Sequence, residues 1–244
     1  IVDRHVLRLI KLWLRAPVEE RDGDGGRRMG GGKKQTRGTP QGGVISPLLA
    51  NLYMNRFLKH WRQRDCSRTF QAHVVSYADD FVILSRGHAA EAKAWAQATL
   101  TRLGLTLNEA KTSLKNARRE RFTFLGYAFG PHCLRRDGSW YLGASPSGKS
   151  VQRCKAKVSE LLVAGNMAPW AEVRDRLNRL VRGWTAYFSY GSCALAYRAV
   201  EHHVWHRVHR FLRRRHKADR GGKPDTDVFG RLGVVKPRLA GASS

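Results

Sequence analysis

The stretch Val74-Val75-Ser76-Tyr77-Ala78-Asp79-Asp80-Phe81-Val82-Ile83-Leu84 decides how the rest of the chain is interpreted. Two acidic residues, Asp79 and Asp80, stand between two short apolar runs rich in β-branched residues. Such runs are typical of buried strands, so the carboxylates fall at the tight turn of a hairpin. Adjacent carboxylates on a rigid turn repel each other, and a hard divalent cation such as Mg²⁺ relieves that repulsion. Taken alone, the pattern also fits a polar turn that faces water.

A second stretch lies upstream and has the order Gly-Thr-Pro-Gln-Gly-Gly-Val-Ile-Ser-Pro-Leu-Leu-Ala-Asn-Leu-Tyr, residues 38–53. Its glycines allow the backbone to approach a ligand closely. Ser46 followed by Pro47 predicts a helix start, with Ser46 as the N-cap and Pro47 in the first helical position. The loop at that helix N-terminus suits a triphosphate.

The two stretches together resemble a known family. Tyr77-Ala78-Asp79-Asp80 resembles the catalytic motif of reverse transcriptases, and residues 38–53 are similar, residue for residue, to the nucleotide-pocket motif of reverse transcriptases encoded by group II introns. The resemblance implies an α+β fold: a partial right-hand polymerase palm, made of an antiparallel sheet with helices on one face, followed by an all-helical thumb. It implies an RNA-directed DNA polymerase, a nucleotidyltransferase, that also binds intron RNA as a maturase in splicing and mobility.

The same resemblance assigns roles to individual residues. Asp79 and Asp80 would be the catalytic ligands of a two-metal Mg²⁺ site. The implied nucleotide-binding residues are Pro40, Gln41, Gly42, Tyr77 and Lys111, the lysine following a Leu-Thr-Leu-Asn segment that resembles the next family motif. The segment Phe124-Leu125-Gly126-Tyr127 resembles the primer grip, in which Leu125, Gly126 and Tyr127 would place the 3′ end of the growing strand. The implied partners are an intron RNA template, a DNA primer or target and deoxynucleoside triphosphates, with homodimerisation left open.

Composition agrees with a nucleic-acid partner. Lys and Arg number 45 against 19 acidic residues, a formal charge of +26, which favours a polyanion. A basic protein of a membrane surface is the competitor, although no run of about 18 apolar residues predicts a membrane span. No signal peptide is recognised, so we expect a cytoplasmic, bacterial protein, an organellar host being the alternative. The four cysteines lack metal-ligand spacing and are expected to be reduced thiols.

Hydrophobic periodicity predicts the remaining elements. We expect a helix over residues 2–14, one over 46–61 and one over 89–103 stopped by Gly104, with catalytic strands at 73–77 and 81–85. Residues 22–38 are Gly-rich and basic and are expected to form an exposed loop. Phe122, Phe124 and Tyr127 predict a strand, and the alternative is a hairpin of the core at this Phe-Leu-Gly-Tyr turn.

From about Ser150 the pattern changes to long helices with apolar stripes. The first stripe comprises Val173, Leu177, Leu180, Val181, Trp184, Tyr187 and Phe188, and the second Tyr197, Val200, Val204, Trp205, Val208, Phe211 and Leu212. With the apolar stripes facing inward, the arginines of both helices face outward. This arrangement suits a thumb that binds a duplex by its phosphates. The predicted RNA-binding residues are Arg182, Arg207, Arg210, Arg213 and Arg214. Arg182-Gly183-Trp184 followed by Tyr187-Phe188 resembles the maturase domain.

Four histidines on the second helix, His202, His203, His206 and His209, have spacings that could place two metal ligands on one face. Neighbouring arginines oppose the binding of a dication, so RNA-facing or packing histidines are favoured.

We expect three divisions: a partial palm over residues 1–148, a thumb or maturase domain over 149–220 and a short tail over 221–244. Two-metal phosphoryl transfer needs a further carboxylate from an earlier strand, and no acid before Gly38 follows an apolar run. We therefore expect a fragment that lacks one catalytic aspartate, inactive alone as a polymerase. The alternatives are a splicing maturase without polymerase activity and a CRISPR-associated or retron-type reverse transcriptase.

Overall fold

The computed structural model describes residues 2–21, 27–31, 43–134, 137–215 and 227–238, with backbone alone at residues 18, 20, 21, 27–31 and 215. The chain divides into two compact units, Ile1–Leu114 and Lys115–Ser244. The predicted domain limits at residues 148 and 220 stay predictions, because a compact unit and a family domain need not share their ends.

The first unit combines helices with two antiparallel hairpins. Its elements are α1 (Arg4–Arg15), β1 (Pro17–Arg21), β2 (Arg27–Gly31), α2 (Ser46–Gln63), α3 (Cys66–Thr69), β3 (Ala72–Tyr77), β4 (Asp80–Ser85) and α4 (Ala89–Arg102). Strand β1 pairs with β2, and β3 pairs with β4.

Several predicted bounds of this unit need correction. The loop expected over residues 22–38 was wrong for Arg27–Gly31, which forms β2, because a two-stranded ladder is held by backbone bonds and needs no apolar pattern. Other parts of that loop, residues 22–26 and 32–38, lie outside the described residues. Ser46 is the first residue of α2 and Ile45 is its N-cap, so the N-cap assignment of Ser46 was wrong by one residue. The expected polar connection between α2 and β3 contains the short helix α3.

The core of the first unit lies between the β3–β4 hairpin and helices α2 and α4. Phe57 is fully buried and its ring lies 5.3 Å from Phe81 and 5.9 Å from Trp95. Small residues of α4, Ala92 and Ala96, are buried beside them. Burying one large apolar side chain stabilises by about 1.5–3 kcal/mol, so this packing fixes one face of the hairpin.

Helix α4 ends as its sequence predicts. Gly104 has a φ of +75°, and the Gly104 and Leu105 amides donate back to the carbonyls of Thr101 and Leu100. Glycine adopts this left-handed conformation without steric cost, so it stops the helix.

The second unit joins a three-stranded antiparallel sheet to three helices. Its elements are β5 (Phe122–Phe124), β6 (Tyr127–Cys133), β7 (Trp140–Pro146), α5 (Gly148–Leu161), α6 (Trp170–Tyr187) and α7 (Ala194–Arg215). The strand order is β5-β6-β7. One continuous strand through Phe122, Phe124 and Tyr127 was wrong, and the alternative, a hairpin, is confirmed, because a turn at Leu125 and Gly126 separates two paired strands.

Helices α5, α6 and α7 share one core. The fully buried members of the predicted stripes are Val173, Leu177, Val181, Val200, Val204 and Val208. Helix α5 adds Val158 and Cys154, which the two predicted stripes did not include. Burial raises the pKa of the Cys154 thiol to about 11. Tyr187 was expected in the core but is 56% exposed, so that expectation was wrong.

Residues 227–238 pack on the helices of this unit, with Val228 and Val234 in the core. The amide of Asn178, a buried side chain of α6, holds this segment at two points. Its Nδ2 donates to the Gly233 carbonyl at 2.9 Å, and its Oδ1 accepts from the Val235 amide at 2.9 Å. Among the described residues, no helix is both long and apolar enough to cross a membrane.

Replacing Asn178 with alanine should destabilise the second unit by about 1–3 kcal/mol, because two partly buried hydrogen bonds, each contributing about 0.5–1.5 kcal/mol, are lost. Chemical denaturation measures the free energy of unfolding. Asn116→Ala is the control, since the side chain of Asn116 is exposed and accepts a hydrogen bond from the nearby Arg118 amide. It should cost about 0.5 kcal/mol or less. Equal losses in the two variants would show that Asn178 does not hold the segment.

Candidate functional site

The β3–β4 hairpin carries the two aspartates at its end. Tyr77 pairs with Asp80 across the ladder, so the connecting turn consists of Ala78 and Asp79. Ala78 has a φ of +52°, an uncommon conformation for a residue with a Cβ. The tight turn thus places Asp79 at the tip and Asp80 in the first position of β4, which begins one residue earlier than the predicted strand at 81–85.

Alternation along the ladder sorts the hairpin into two faces. Ala72, Val74, Phe81 and Ile83 point to the helical core. The opposite face carries Tyr77 and Asp80, both exposed, because cross-strand partners share a face. The structure therefore brings Tyr77, Asp79 and Asp80 together at the accessible end of one hairpin.

Of the four remaining predicted nucleotide-binding residues, the structure describes one, Lys111. Lys111 is exposed in a turn after α4, where its amide donates to the Asn108 carbonyl at 3.0 Å. Pro40, Gln41 and Gly42 lie outside the described residues, so their predicted role stays a prediction.

In the second unit, the turn between β5 and β6 has unusual backbone conformations. Leu125 has a φ of +50° and Gly126 a φ of +80°, and Phe124 pairs with Tyr127. Positive φ at both central residues is typical of a type I′ hairpin turn, which favours Asn, Asp or Gly in the first position. A leucine there costs about 1–2 kcal/mol, so the surroundings have to hold it.

Helices α5 and α6 hold this turn. The Tyr187 hydroxyl donates to the Leu125 carbonyl at 2.9 Å. The Gly126 carbonyl accepts from the Ser147 amide at 2.9 Å and from the Ser150 hydroxyl at 2.8 Å. In return, the Tyr127 hydroxyl donates to the Tyr187 carbonyl at 2.7 Å, at the C-terminal end of α6. Both carbonyls of the turn are thus satisfied by the helices that follow it in sequence.

The C-terminal turn of α6 is also capped by Tyr197, whose buried hydroxyl donates to the carbonyls of Phe188 and Thr185. Burial raises the pKa of Tyr197 to about 12, so the hydroxyl keeps its proton near neutral pH. The helix end that bonds the turn is therefore itself fixed.

The predicted RNA-binding arginines fall into two groups. Arg182 on α6 and three residues of α7, namely Arg210, Arg213 and Arg214, are exposed. Arg207 is half-buried, and its Nη2 donates to the carbonyls of Ser159 and Leu162 at 3.0 and 3.1 Å. These carbonyls lie at the C-terminal end of α5, where a cation is favourable. Arg207 therefore caps a helix, a contact that the sequence did not reveal.

The histidines of α7 mostly have packing partners. His203 Nε2 lies 3.0 Å from both the Ser159 hydroxyl and the Lys155 carbonyl, and burial lowers the pKa of His203. His209 stacks on Trp205 at 5.1 Å. His202 and His206 pair through Nε2 atoms 2.9 Å apart. Across the described residues, no group of three or more acidic, histidine or cysteine side chains could hold a metal ion. The four cysteines are free.

Comparison with known families identifies two domains in the chain. The reverse transcriptase (RNA-dependent DNA polymerase) family matches residues 2–129, just over half of the 244 residues, and contains the aspartate hairpin. The chain therefore belongs to the reverse transcriptase family. The group II intron maturase-specific domain matches residues 151–225, which contain α6, α7 and most of α5. The chain is thus of the group II intron-encoded reverse transcriptase and maturase type. No curated protein matched the chain.

These matches confirm the predicted class of fold and function. RNA-directed DNA polymerase activity is the activity of the family, and an RNA template and nucleic-acid partners follow from the two domains. No observation favours a CRISPR-associated or retron-type enzyme, or a maturase without a polymerase.

Sequence reasoning missed Tyr187 as a partner of the β5–β6 turn and Arg207 as a helix cap. Tyr187 fits the helical stripe of α6, so periodicity placed it in the core. The position of Tyr187 at the end of α6 could have indicated a side chain outside the core. Its hydrogen-bond partner could not be predicted, because the Leu125 carbonyl lies 62 residues away in the sequence.

Gly126→Ala should destabilise the second unit more than Gly138→Ala does. Both glycines have positive φ, and a side chain in that region costs about 1–2 kcal/mol. A Cβ on Gly126 would also lie 2.9 Å from the Ser150 hydroxyl and 3.1 Å from the Phe188 ring, whereas one on Gly138 meets nothing within 4 Å. Overpacking should add about 1–3 kcal/mol for Gly126. Urea unfolding of both variants is the measurement, and equal losses would contradict the crowding.

Proposed function

We propose that the end of the β3–β4 hairpin is the site at which the intact gene product synthesises DNA on an RNA template, with Asp79 and Asp80 as metal ligands. One observation carries this proposal: two adjacent, exposed carboxylates at the tip of a hairpin whose other face is fixed by a buried core, within the region that matches the reverse transcriptase family. The packing of Phe57 against Phe81 supports a rigid position for both carboxylates.

The donor set fits Mg²⁺. This ion takes oxygen ligands, retains several waters and is commonly held by one or two carboxylates together with substrate phosphates. Asp79 and Asp80 would hold it, and the bound ions would offset the negative charge that develops during phosphoryl transfer. The protein itself contributes the fixed spacing of the two carboxylates and their exposure to the nucleotide.

The substrates proposed for this site are deoxynucleoside triphosphates and a DNA primer. Tyr77 shares the exposed face with Asp80 and is in reach of a nucleotide at the hairpin tip. Lys111 is proposed to contact the triphosphate as a point charge. Pro40, Gln41 and Gly42 are proposed to line the nucleotide pocket. Leu125, Gly126 and Tyr127 are proposed to hold the primer 3′ end.

Intron RNA is proposed to bind along the exposed arginines of α6 and α7. Arg182, Arg210, Arg213 and Arg214 carry the charge that phosphates require. Arg207 would act on RNA only through the position of α5 and α7, because its guanidinium is bonded to α5. A cytoplasmic location and homodimerisation remain parts of the proposal that rest on the sequence.

Asp79→Asn in the intact gene product should lower primer extension on an RNA template by on the order of 10²-fold or more, the scale for losing one electrostatic contact to a transition state. The fold should survive, because the exposed turn carboxylate is not packed, and loss of one like charge relieves repulsion. Intron-RNA affinity should not change. Primer extension and RNA binding, measured in parallel, are the test.

Asp65→Asn is the matched control for that change. Asp65 is an exposed aspartate of the same unit, has a φ of +46° that asparagine also adopts, and precedes α3. It should extend primers at the wild-type rate. Wild-type extension by Asp79→Asn would show that the active site has been assigned to the wrong residues.

Replacing Arg182, Arg210 and Arg213 together with alanine should weaken binding of intron RNA and flatten its salt dependence. The wild-type affinity should fall by about 10³-fold or more between about 50 and 200 mM salt, since each neutralised phosphate releases counterions. The slope of log affinity against log salt should drop by about 3, one for each lost contact.

The charge-matched control replaces Arg56, Arg68 and Arg102 of the first unit, all exposed. It removes the same charge from the other unit and should leave most of the slope intact. Equal slopes of log affinity against log salt for the two triple variants would mean that intron-RNA binding depends only on net charge and that these helices form no binding surface.

A further inference from the structure

The β5–β6 turn and helix α6 are joined by two hydrogen bonds that run in opposite directions. Tyr187, the last residue of α6, donates from its side chain to the Leu125 carbonyl of the turn. Tyr127, the first residue of β6, donates from its side chain to the Tyr187 carbonyl. The two rings lie 6.2 Å apart. The Tyr190 amide adds a longer bond to the Tyr127 hydroxyl, at 3.4 Å.

These bonds act on the one part of the hairpin whose backbone is strained. Leu125 carries a left-handed φ of +50° that leucine rarely adopts. Backbone outliers of this kind persist where the surroundings over-determine them, and they cluster at functional sites. The Leu125 carbonyl is held by Tyr187, whereas the neighbouring Gly126 carbonyl is held by Ser147 and Ser150 at the start of α5.

Helix α6 also carries Arg182, exposed and five residues before Tyr187. The same helix therefore presents a cation for a nucleic-acid backbone and a hydroxyl that holds the turn. A rigid helix between the two fixes their separation. The bond from Tyr187 to Leu125 then sets where the turn lies relative to a duplex bound on α6.

We propose that Tyr187 is a positioning residue for the primer 3′ end, acting through the Leu125 carbonyl and the turn that it orients. This inference rests on the proposed function, in which the turn contacts the primer end. Tyr187 does not touch the reacting atoms. It keeps the turn in the conformation that presents the primer, and Tyr127 makes the reciprocal bond that holds the end of α6 in register with the turn.

Tyr187→Phe tests the proposal, because it removes the hydroxyl and keeps the ring. The rate constant for primer extension should fall about tenfold or more, since a misplacement of ~1 Å at a reacting atom can cost ~10²-fold. The KM for the nucleotide and the affinity for intron RNA should stay close to wild type, and the melting temperature should fall by only a few degrees, as expected for the loss of one hydrogen bond. A purely structural tyrosine would lower the melting temperature without this selective loss in kcat.

A second measurement does not depend on turnover. A primer with 2-aminopurine at its 3′ terminus, annealed to an RNA template and bound without nucleotide, reports how firmly its last base is held. Tyr187→Phe should raise the 2-aminopurine fluorescence, because the terminal base becomes more mobile.

Tyr141→Phe is the matched control. It removes another exposed tyrosine hydroxyl of the same unit, which lies 2.6 Å from the Ser192 hydroxyl and does not bond the turn. It should keep the wild-type rate and fluorescence. Wild-type values for Tyr187→Phe in both assays, or equal changes in the two variants, would overturn the proposal.

Asp79→Asn separates this inference from the proposed function. If Asp79→Asn retained extension, the proposed active site would be wrong. If Asp79→Asn lost extension while Tyr187→Phe kept the wild-type rate and fluorescence, the inference about Tyr187 alone would be wrong.

Discussion

The left-handed turn at Leu125 and Gly126 leaves two backbone carbonyls that need donors, and α5 and α6 supply all of the donors described here. Each of these hydrogen bonds contributes about 0.5–1.5 kcal/mol, and together they offset the leucine conformation, which costs about 1–2 kcal/mol. The turn is therefore stable only while the helices are packed behind it. This dependence explains why the three-stranded sheet belongs to the same compact unit as the helices.

The two family matches meet within this arrangement. The reverse transcriptase match ends at residue 129, just past the turn, and the maturase-specific match begins at residue 151, inside α5. Tyr127 and Tyr187, which lie on opposite sides of that gap, bond to each other's segment. A family boundary drawn along the sequence therefore crosses a structural unit whose parts depend on each other. The carboxylates and the arginines are distributed differently: Asp79 and Asp80 belong to a unit with its own core around Phe57, whereas Arg182 and Arg210 belong to the other unit.

Local patterns predicted much of the fold. The catalytic hairpin follows from two short β-branched runs, the end of α4 from Gly104, and the cores of α6 and α7 from periodic apolar residues, because each signal lies within one element. Several of the misses depend on partners outside the element concerned. Strand β2 is polar and Gly-rich, so only its pairing with β1 identifies it. Arg207 resembles its neighbouring arginines in sequence, and only the carbonyls of α5, some 45 residues away, distinguish it. The positive φ of Leu125 is contrary to the conformational preference of leucine, and the hydrogen bond from Tyr187 that helps to hold it cannot be read from the local sequence.

Amide hydrogen exchange tests most directly whether the turn and α6 depend on each other. The Ser147 amide reports the bond to the Gly126 carbonyl, and the Phe188 amide reports the end of α6 through its bond to Trp184. The Gly138 amide, at the β6–β7 tip, serves as the internal control. If the turn is held by the helices, Ser147 and Phe188 should exchange with the same free energy of opening, close to that of global unfolding of the unit, while Gly138 exchanges faster. Exchange of Ser147 at the rate of Gly138, with Phe188 still protected, would contradict the account.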